Sequence, residues 1–302
     1  MPEAVIVDSV RTPIGRAFKG SLKDLRPDET AAFILDALLE RNEGLDPKLV
    51  EDVYMGCGLP QGMQANNIGR IAVLLSKHLD QVTNGVTVSR YCASSLETIR
   101  MAANNVIAGQ GDVYIAGGVE FVSRFNEAQE AARPQDQNEK LQGKEPGQPD
   151  AYIAMGQTAE NVAEYAKVSR EEQDEFAALS QQRAVTSQEN GFFEREITPV
   201  TLADGTVVTK DDGPRPDTTV EKLATLQPVF KPDGTVTAGN ACPLNDGAAA
   251  VVVMSDTRAE ELGITPLARV VASAVSAVDP EIMGLGPVEA CRRALARAGM
   301  TI

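Results

Sequence analysis

Cys92 is the residue of this sequence whose surroundings best suit nucleophilic chemistry. It follows a strand-like run at 86–88 and comes just before a helix-like run that opens on small residues. A thiol reacts as its thiolate, and the partial positive charge of a helix N-terminus favours that form. Backbone N–H groups at the same place can hold the oxyanion of a thioester under attack. The spacing therefore predicts a strand-to-helix turn that presents a reactive sulfur, with a buried structural cysteine as the alternative.

The remaining cysteines indicate neither a metal site nor a disulfide framework. Cys57, Cys242 and Cys291 lie far from Cys92 and from one another, without the C-x-x-C spacing of zinc sites. We therefore predict no metal and a reducing compartment. The glycines around Cys57 differ in spacing from a dinucleotide-binding loop, so that segment is interpreted as a turn. Cys57 and Cys291 are interpreted as structural residues.

The composition is that of an acidic globular protein. The 302 residues are 43% hydrophobic and 24% charged, with a formal net charge of -15. This surplus of negative charge disfavours a nucleic acid as partner. The sequence has no apolar run approaching the roughly 20 residues of a membrane helix, and no basic leader precedes its first apolar run. We expect a cytoplasmic protein with neither a membrane nor a nucleic-acid partner.

The order of the elements predicts layered α/β packing. Strand-like runs at 4–7, 50–56, 86–88 and 113–116 alternate with helical patterns at 29–40, 67–79 and 94–108. Asp28 is the expected N-cap of the first helix. The apolar run AAAVVVMS at 248–255 is typical of a strand covered on both faces. A further strand is expected within 267–278, followed by a helix at 288–297 that ends at Gly299.

An inserted segment interrupts this core. Aromatic, Gln, Pro and Asp residues become common between about Phe121 and Thr237, and 132–150 has few apolar residues. Helical patterns lie at 158–166 and 169–188, and Ser169 with Glu172 predicts a capping box. We expect a first core made of 1–120 with 238–265, an inserted loop domain at 121–237, and the start of a second core at 266–302.

Four segments, in order, resemble the thiolase family: VIVDSVRTPIGRAFKGSL at 5–22, SRYCASSL and AGQGDVYIAGGVEFVSR between 89 and 124, MGQTAENVA at 155–163, and TAGNACPLNDGAAAVVVM at 237–254. The resemblance runs from residue 4 to about residue 299. It implies an α/β thiolase fold, layered αβαβα, with the loop domain inserted and the second core half incomplete.

The resemblance also implies roles for individual residues. Cys92 stands where the family has its acyl-accepting cysteine, whose own N–H contributes to an oxyanion hole. A substrate-binding set follows, namely Met155 beside the acyl pocket, Arg215 near the adenine end of coenzyme A, and Phe230, Ala238, Gly239 and Cys242 along the coenzyme A tunnel. Cys242 replaces a serine of many relatives, and Ala154 replaces a histidine. Without the resemblance, Met155 and Phe230 could be core residues, Gly239 a turn and Arg215 an exposed charge.

The implied activity is ping-pong acyl transfer in fatty acid metabolism, through a thioester on Cys92. The substrate would be a 3-ketoacyl-CoA in thiolytic cleavage, or acyl-CoA in condensation. Coenzyme A or acyl-CoA is then a substrate, and no covalently bound cofactor is expected. The resemblance further implies a homodimer or homotetramer.

The family's catalytic histidines, asparagine and second cysteine belong to a C-terminal region that has no counterpart in these 302 residues. The single histidine, His78, lies at a predicted helix end and matches no catalytic motif. We therefore expect a truncated chain with almost no turnover. The alternative is a non-catalytic CoA-binding or assembly protein.

Overall fold

The computed structural model describes residues 2–127 and 137–302, so the first residues of the apolar-poor stretch 132–150 lie outside the described part. The described residues form two compact units. The first contains the residues up to 127 together with Phe193–Gly213 and Leu244–Val271. The second contains those from 137 to Phe192 together with Pro214–Pro243 and Ala272–Ile302.

A mixed β-sheet forms the centre of the first unit. Its strands are β1 (Ala4–Arg11), β2 (Gly15–Arg16), β3 (Asp52–Gly56), β4 (Asn84–Val88), β5 (Val113–Phe121), β8 (Asn245–Ser255) and β9 (Ala268–Arg269), and a separate hairpin pairs β6 (Val200–Thr201) with β7 (Val207–Val208). The spatial order is β4-β3-β5-β8-β1-β9, with β2 beside β8. β3 runs parallel to β4 and β5, whereas β8 runs antiparallel to β5 and β1.

Helices cover both faces of this sheet. The helices of the first unit are α1 (Pro27–Arg41), α2 (Ile68–Leu75), α3 (Ser94–Ile107) and α7 (Asp256–Glu261). Because side chains alternate along a strand, Val53 and Met55 pack in the cluster that holds α1 and α2. Tyr54 points the other way and packs with Ala102 and Val106 of α3. The strand at 248–255 that was predicted to be covered on both faces is confirmed as part of β8, which contributes to both clusters.

Two predicted helix boundaries in this unit are wrong. Asp28 is not the N-cap of α1, because Pro27, with its fixed φ, begins the helix and Arg26 takes the cap position. Asp28 lies within the first turn and accepts a hydrogen bond from the guanidinium of Arg26 at 2.6 Å. Helix α2 ends at Leu75, and not at 79, because the next residues turn towards α1. The carboxylate of Asp36 accepts the Lys77 N–H there at 3.0 Å.

The strand expected within 267–278 is wrong for most of its length. Only Ala268 and Arg269 pair with β1, opposite Ile6 and Val5. Val270 adds one last backbone hydrogen bond, to the Ala4 carbonyl at 2.9 Å, and from residue 272 the chain belongs to the second unit. Since a strand is held by its ladder of hydrogen bonds, the β-branched residues there stay irregular.

The segment 193–213 is tied to the sheet by Arg11. Its guanidinium binds Asp211 at 2.7 and 3.1 Å and Glu196 at 2.6 Å, and lies 5.0 Å from the centre of the Phe193 ring. Burial opposes the charge on Arg11, but the two carboxylates outweigh it and raise its pKa. The chain that returns from the second unit is therefore joined to β1 by a charged network.

The second unit is mainly helical. Its helices are α4 (Met155–Ala166), α5 (Arg170–Glu189), α6 (Val220–Ala224) and α8 (Gly286–Arg297). The capping box of α5 is confirmed, with Ser169 and Glu172 bonding each other's backbone N–H groups at 2.7 and 3.2 Å. Gly299 follows the end of α8 at φ 67°, as its predicted role after the helix requires.

Candidate active site

Cys92 lies on the turn between β4 and α3, as the sequence predicts. β4 ends at Val88 and α3 begins at Ser94, and the sulfur-bearing residue is exposed. Tyr91, just before it, has φ 45°, a left-handed conformation that is uncommon for a residue other than glycine. Such backbone strain persists only where the surroundings hold it, and it is characteristic of functional turns. Exposure excludes the alternative of a buried structural cysteine.

Ser94 holds this turn in place. It is 3% exposed, its hydroxyl donates to the Tyr91 carbonyl at 2.5 Å, and it accepts the Arg90 N–H at 2.8 Å. The Ala93 N–H donates to the Arg90 carbonyl and the Ser94 N–H to the Tyr91 carbonyl, both at 3.0 Å. Two of the N–H groups that could have faced an anion are therefore used inside the turn.

Glycines allow the start of α3 to rest directly on the sheet. A Cβ added to Gly56 would lie 2.6 Å from the Ser95 nitrogen, and one added to Gly118 would lie against the Ser95 hydroxyl. Deeper in the same contact, the Thr98 hydroxyl donates to the Gly117 carbonyl at 3.1 Å. This close approach fixes where the turn emerges from the sheet. The sequence had suggested only a turn at Gly56.

Cys57, unlike the exposed Cys92, is buried beside a carboxylate. It is 1% exposed, and its thiol lies 3.7 Å from the carboxylate of Glu120. Burial, together with the negative charge of Glu120, raises the pKa of this thiol. Cys57 therefore stays protonated, in agreement with its interpretation as a structural residue. Cys291, in contrast, is exposed on α8.

The six predicted substrate-binding residues all fall in the second unit, while Cys92 falls in the first. Met155 begins α4 and is 52% exposed, and Phe230 is 43% exposed. The Phe230 ring covers the next residue of α4, since a Cβ on Gly156 would lie 2.3 Å from it. The exposure of Met155 and Phe230 excludes the alternative that they are core residues.

Residues 235–240 form a turn that is held from inside the second unit. Glu160 of α4, 5% exposed, accepts the N–H groups of Thr235 at 2.9 and 3.0 Å and of Val236 at 2.8 Å. The Asn240 side chain accepts the Thr237 N–H at 2.7 Å and donates to Asp174 at 2.9 Å. The turn is therefore fixed by groups whose importance the sequence did not reveal.

The remaining predicted residues lie on and near this turn. Ala238 is exposed, and Gly239 packs so closely that a Cβ on it would lie 2.5 Å from Leu223 and Leu226. Cys242 is exposed shortly afterwards. Arg215 is also exposed, and its backbone N–H donates to the Gln181 side chain at 2.8 Å. A side chain at position 239 would therefore require the ends of these two leucine side chains to move.

His78 lies just beyond the end of α2. Its Nε2 is 2.9 Å from the carboxylate of Glu40, and both side chains are partly exposed. His78 is therefore exposed near a helix end, although this helix ends earlier than the sequence predicted. Within residues 2–127 and 137–302, no three His, Cys, Asp or Glu side chains are arranged to hold a metal ion. No described helix has the length and apolar character needed to cross a membrane.

The fold and the turn define an α/β protein with an exposed cysteine at a strand-to-helix junction, and comparisons with known proteins give the family. Residues 4–257 match the family model described as thiolase, N-terminal domain. The chain therefore belongs to the thiolase family, which comprises acyltransferases that act on thioesters of coenzyme A.

Known thiolases match the chain over its whole length. The chain is 43% identical to the 3-oxoadipyl-CoA/3-oxo-5,6-dehydrosuberyl-CoA thiolase of Escherichia coli, in an alignment that covers 100% of this chain and 78% of that protein. It is 45% identical to the beta-ketoadipyl-CoA thiolase of Pseudomonas aeruginosa, covering 99% and 78%. The crystal structure of the Bacillus anthracis acetyl-CoA acetyltransferase superposes with a TM-score of 0.87 at 38% identity, covering 100% and 78%. The thiolase fold is thereby confirmed.

Proposed function

We propose that this chain accepts an acyl group from acyl-CoA on the sulfur of Cys92. The observation that carries the proposal is the exposed position of Cys92 on a strained, internally bonded turn before α3, in a chain that matches thiolases along its whole length. The thiolate attacks the thioester carbonyl, the bond to the coenzyme A sulfur breaks, and coenzyme A leaves as a thiolate that takes up a proton. A thioester on Cys92 remains.

The second half of the reaction transfers this acyl group. In condensation the acceptor is the α-carbon of a second acyl-CoA after loss of a proton. In thiolytic cleavage of a 3-ketoacyl-CoA the Cys92 thiolate attacks the 3-keto carbon instead, the bond between C2 and C3 breaks, and acetyl-CoA leaves as its α-carbon takes up a proton. The sulfur of a second coenzyme A then accepts the acyl group from Cys92. Both directions proceed through the same Cys92 thioester, so the proposal covers both.

We assign coenzyme A binding to the second unit. Met155 and Phe230 present exposed apolar surface on and against α4, and Arg215 offers a positive charge for a phosphate. Ala238, Gly239 and Cys242 lie on or beside the turn that Glu160 and Asn240 hold. The predicted division into 1–120 with 238–265, 121–237 and 266–302, the homodimer or homotetramer, and the cytoplasmic location stay predictions.

Slow turnover is part of the proposal. The 302 residues contain one histidine, and His78 pairs with Glu40. General acid–base catalysis contributes on the order of 10²–10⁴ in rate, so we expect Cys92 without a histidine base beside it to turn over slowly. The same observation favours a second candidate function, a non-catalytic CoA-binding or assembly protein, which would bind acyl-CoA without forming the thioester.

Isotope exchange tests the proposal against this alternative. The chain is incubated with acetyl-CoA and labelled coenzyme A, without a second acyl acceptor, and label in acetyl-CoA is followed. A ping-pong enzyme exchanges label because the Cys92 thioester returns its acyl group to free coenzyme A. The enzyme is supported if Cys92→Ser abolishes the exchange and Cys291→Ser, a control at an exposed cysteine outside the coenzyme A-binding set, retains it. Tight binding of acetyl-CoA without exchange would establish the binding protein instead.

A further inference from the structure

A polar cluster, Cys57, Gln64 and Glu120, lies beside the turn that carries Cys92. Gln64 is 1% exposed, and Glu120 is partly buried near the end of β5. The Gln64 amide donates to Glu120 at 2.8 Å and to the Leu59 carbonyl at 3.0 Å. The acyl-transfer proposal makes no use of these three residues.

Glu120 has to accept a hydrogen bond at each of its two carboxylate oxygens. The Phe121 N–H donates to the Gln64 carbonyl oxygen at 2.6 Å, which fixes the orientation of that amide. The Gln64 NH₂ group therefore faces one Glu120 oxygen, and the Gly58 N–H donates to the other at 2.6 Å. An ionised carboxylate satisfies both donors, whereas an amide at position 120 would direct an NH₂ group at one of them.

Gly58 connects this carboxylate to the cysteine turn. A Cβ on Gly58 would lie 2.7 Å from the Glu120 oxygen on one side and 3.3 Å from the Tyr91 carbonyl group on the other. The Ser89 hydroxyl, at the start of the turn, donates to the Gly58 carbonyl at 3.1 Å. Gly58 is thus held by Glu120 through its N–H and contacts the turn through its carbonyl and its Cα.

We infer that Glu120 is a positioning residue for Cys92. Its carboxylate fixes Gly58, and Gly58 supports the left-handed Tyr91 and the turn that presents the sulfur. The consequence for acyl transfer rests on the proposed function, but the effect on the turn itself does not.

Hydrogen exchange in Glu120→Gln tests the inference directly. The matched control is Asp36→Asn, since Asp36 is also a buried carboxylate that accepts a backbone N–H, at Lys77. We expect amide exchange of a peptide covering 89–96 to accelerate at least about fivefold in Glu120→Gln, the size of one lost net hydrogen bond. We expect amide exchange in β1 to be unchanged in Glu120→Gln. In Asp36→Asn, the exchange rate of the 89–96 peptide should equal that of the unsubstituted chain.

A second readout separates positioning from general destabilisation. The rate of Cys92 acetylation by acetyl-CoA, divided by its rate of alkylation by iodoacetamide, is expected to fall about fivefold in Glu120→Gln and to stay constant in Asp36→Asn. If the original chain forms no acetyl adduct, the proposed function fails, and the exchange of 89–96 still decides the positioning role.

Ser89→Ala probes the same connection from an exposed position if Glu120→Gln does not fold. It removes the hydroxyl that binds Gly58 and is expected to accelerate exchange in 89–96, with the exposed Ser180→Ala as its control. Unchanged exchange at 89–96 in Glu120→Gln, or in Ser89→Ala where Glu120→Gln is not folded, would overturn the inference.

Discussion

The hydroxyl of Ser94 donates to the carbonyl of Tyr91 at 2.5 Å, across the turn that carries Cys92. Tyr91 has φ 45°, and Ser94 is the first residue of α3, so the bond joins the strained residue to the helix that follows it. Side-chain bonds of this kind offset the cost of a left-handed residue, which is about 1–3 kcal/mol. The turn is stable because the helix start and the strained residue depend on each other.

Ser94→Ala is expected to loosen this turn. The Arg90 N–H would lose its acceptor and the Tyr91 carbonyl one of its donors, at a cost of about 1–2 kcal/mol in the free energy of unfolding. Urea denaturation measures this loss, and acetylation of Cys92 should slow in parallel. The exposed Ser180→Ala should leave both unchanged. Equal behaviour of the two variants would contradict the role given to Ser94.

Gly56→Ala is expected to displace the start of α3. Its Cβ would meet the Ser95 nitrogen at 2.6 Å, and backbone atoms cannot move aside as a flexible side chain can. Overpacking of this kind costs about 1–3 kcal/mol. Gly44→Ala is the matched control, since nothing lies within 4 Å of its Cβ position. A shift of the denaturation midpoint in Gly44→Ala as large as that in Gly56→Ala would refute the close approach.

Glu160→Gln is expected to release the turn at 235–240. Its carboxylate accepts the N–H groups of Thr235 and Val236, and an amide NH₂ group would oppose one of them, at a cost of about 1–3 kcal/mol. Binding of coenzyme A, measured by calorimetry, should weaken. Glu164→Gln lies on the same helix with its carboxylate exposed and should change stability by less than about 0.5 kcal/mol. Unaltered affinity in Glu160→Gln would show that the turn does not contact coenzyme A.

Alkaline pH is expected to destabilise the first unit. Burial raises the pKa of Tyr114 to about 12 and also raises those of Tyr54 and Cys57. The unfolded chain loses these protons at lower pH than the folded chain, since a free thiol titrates near 8.5 and a free tyrosine near 10. Stability is therefore fully present below the unfolded pKa values and falls as pH rises above them.

Thermal unfolding between about pH 8 and pH 11 measures this effect, with the melting temperature expected to fall progressively. In Cys57→Ala the fall should begin at higher pH, because only the tyrosines remain. A melting temperature that is constant over this range, or that rises, would contradict the protonated state of the three groups.

The sequence predicted the elements whose evidence is local. The position of Cys92 before α3 and the capping box at Ser169 depend on residues within a few positions of each other, and the structure confirms both. The strand expected within 267–278 required a partner strand elsewhere in the chain. Only Ala268 and Arg269 pair with such a strand, β1.

The groups that support the two turns could not be predicted for the same reason. Glu120 and Gln64 are separated by 56 residues, and Glu160 and Val236 by 76. The sequence marks only the two glutamates, because each is a carboxylate in an otherwise apolar run or on the inward face of a helix, as Glu120 is in VYIAGGVEF. A buried carboxylate indicates that a hydrogen-bond donor lies nearby, but the sequence does not identify that donor.

Peptide mapping after incubation with acetyl-CoA shows directly whether Cys92 accepts the acyl group. The protein is quenched in acid, digested and analysed by mass spectrometry, with Cys242 and Cys291 as internal controls because both are also exposed. We expect a single acetyl group on the peptide that contains Cys92, removed by free coenzyme A and absent in Cys92→Ser. An acetyl group spread over the exposed cysteines, or an unmodified Cys92 in protein that binds acetyl-CoA, would contradict it.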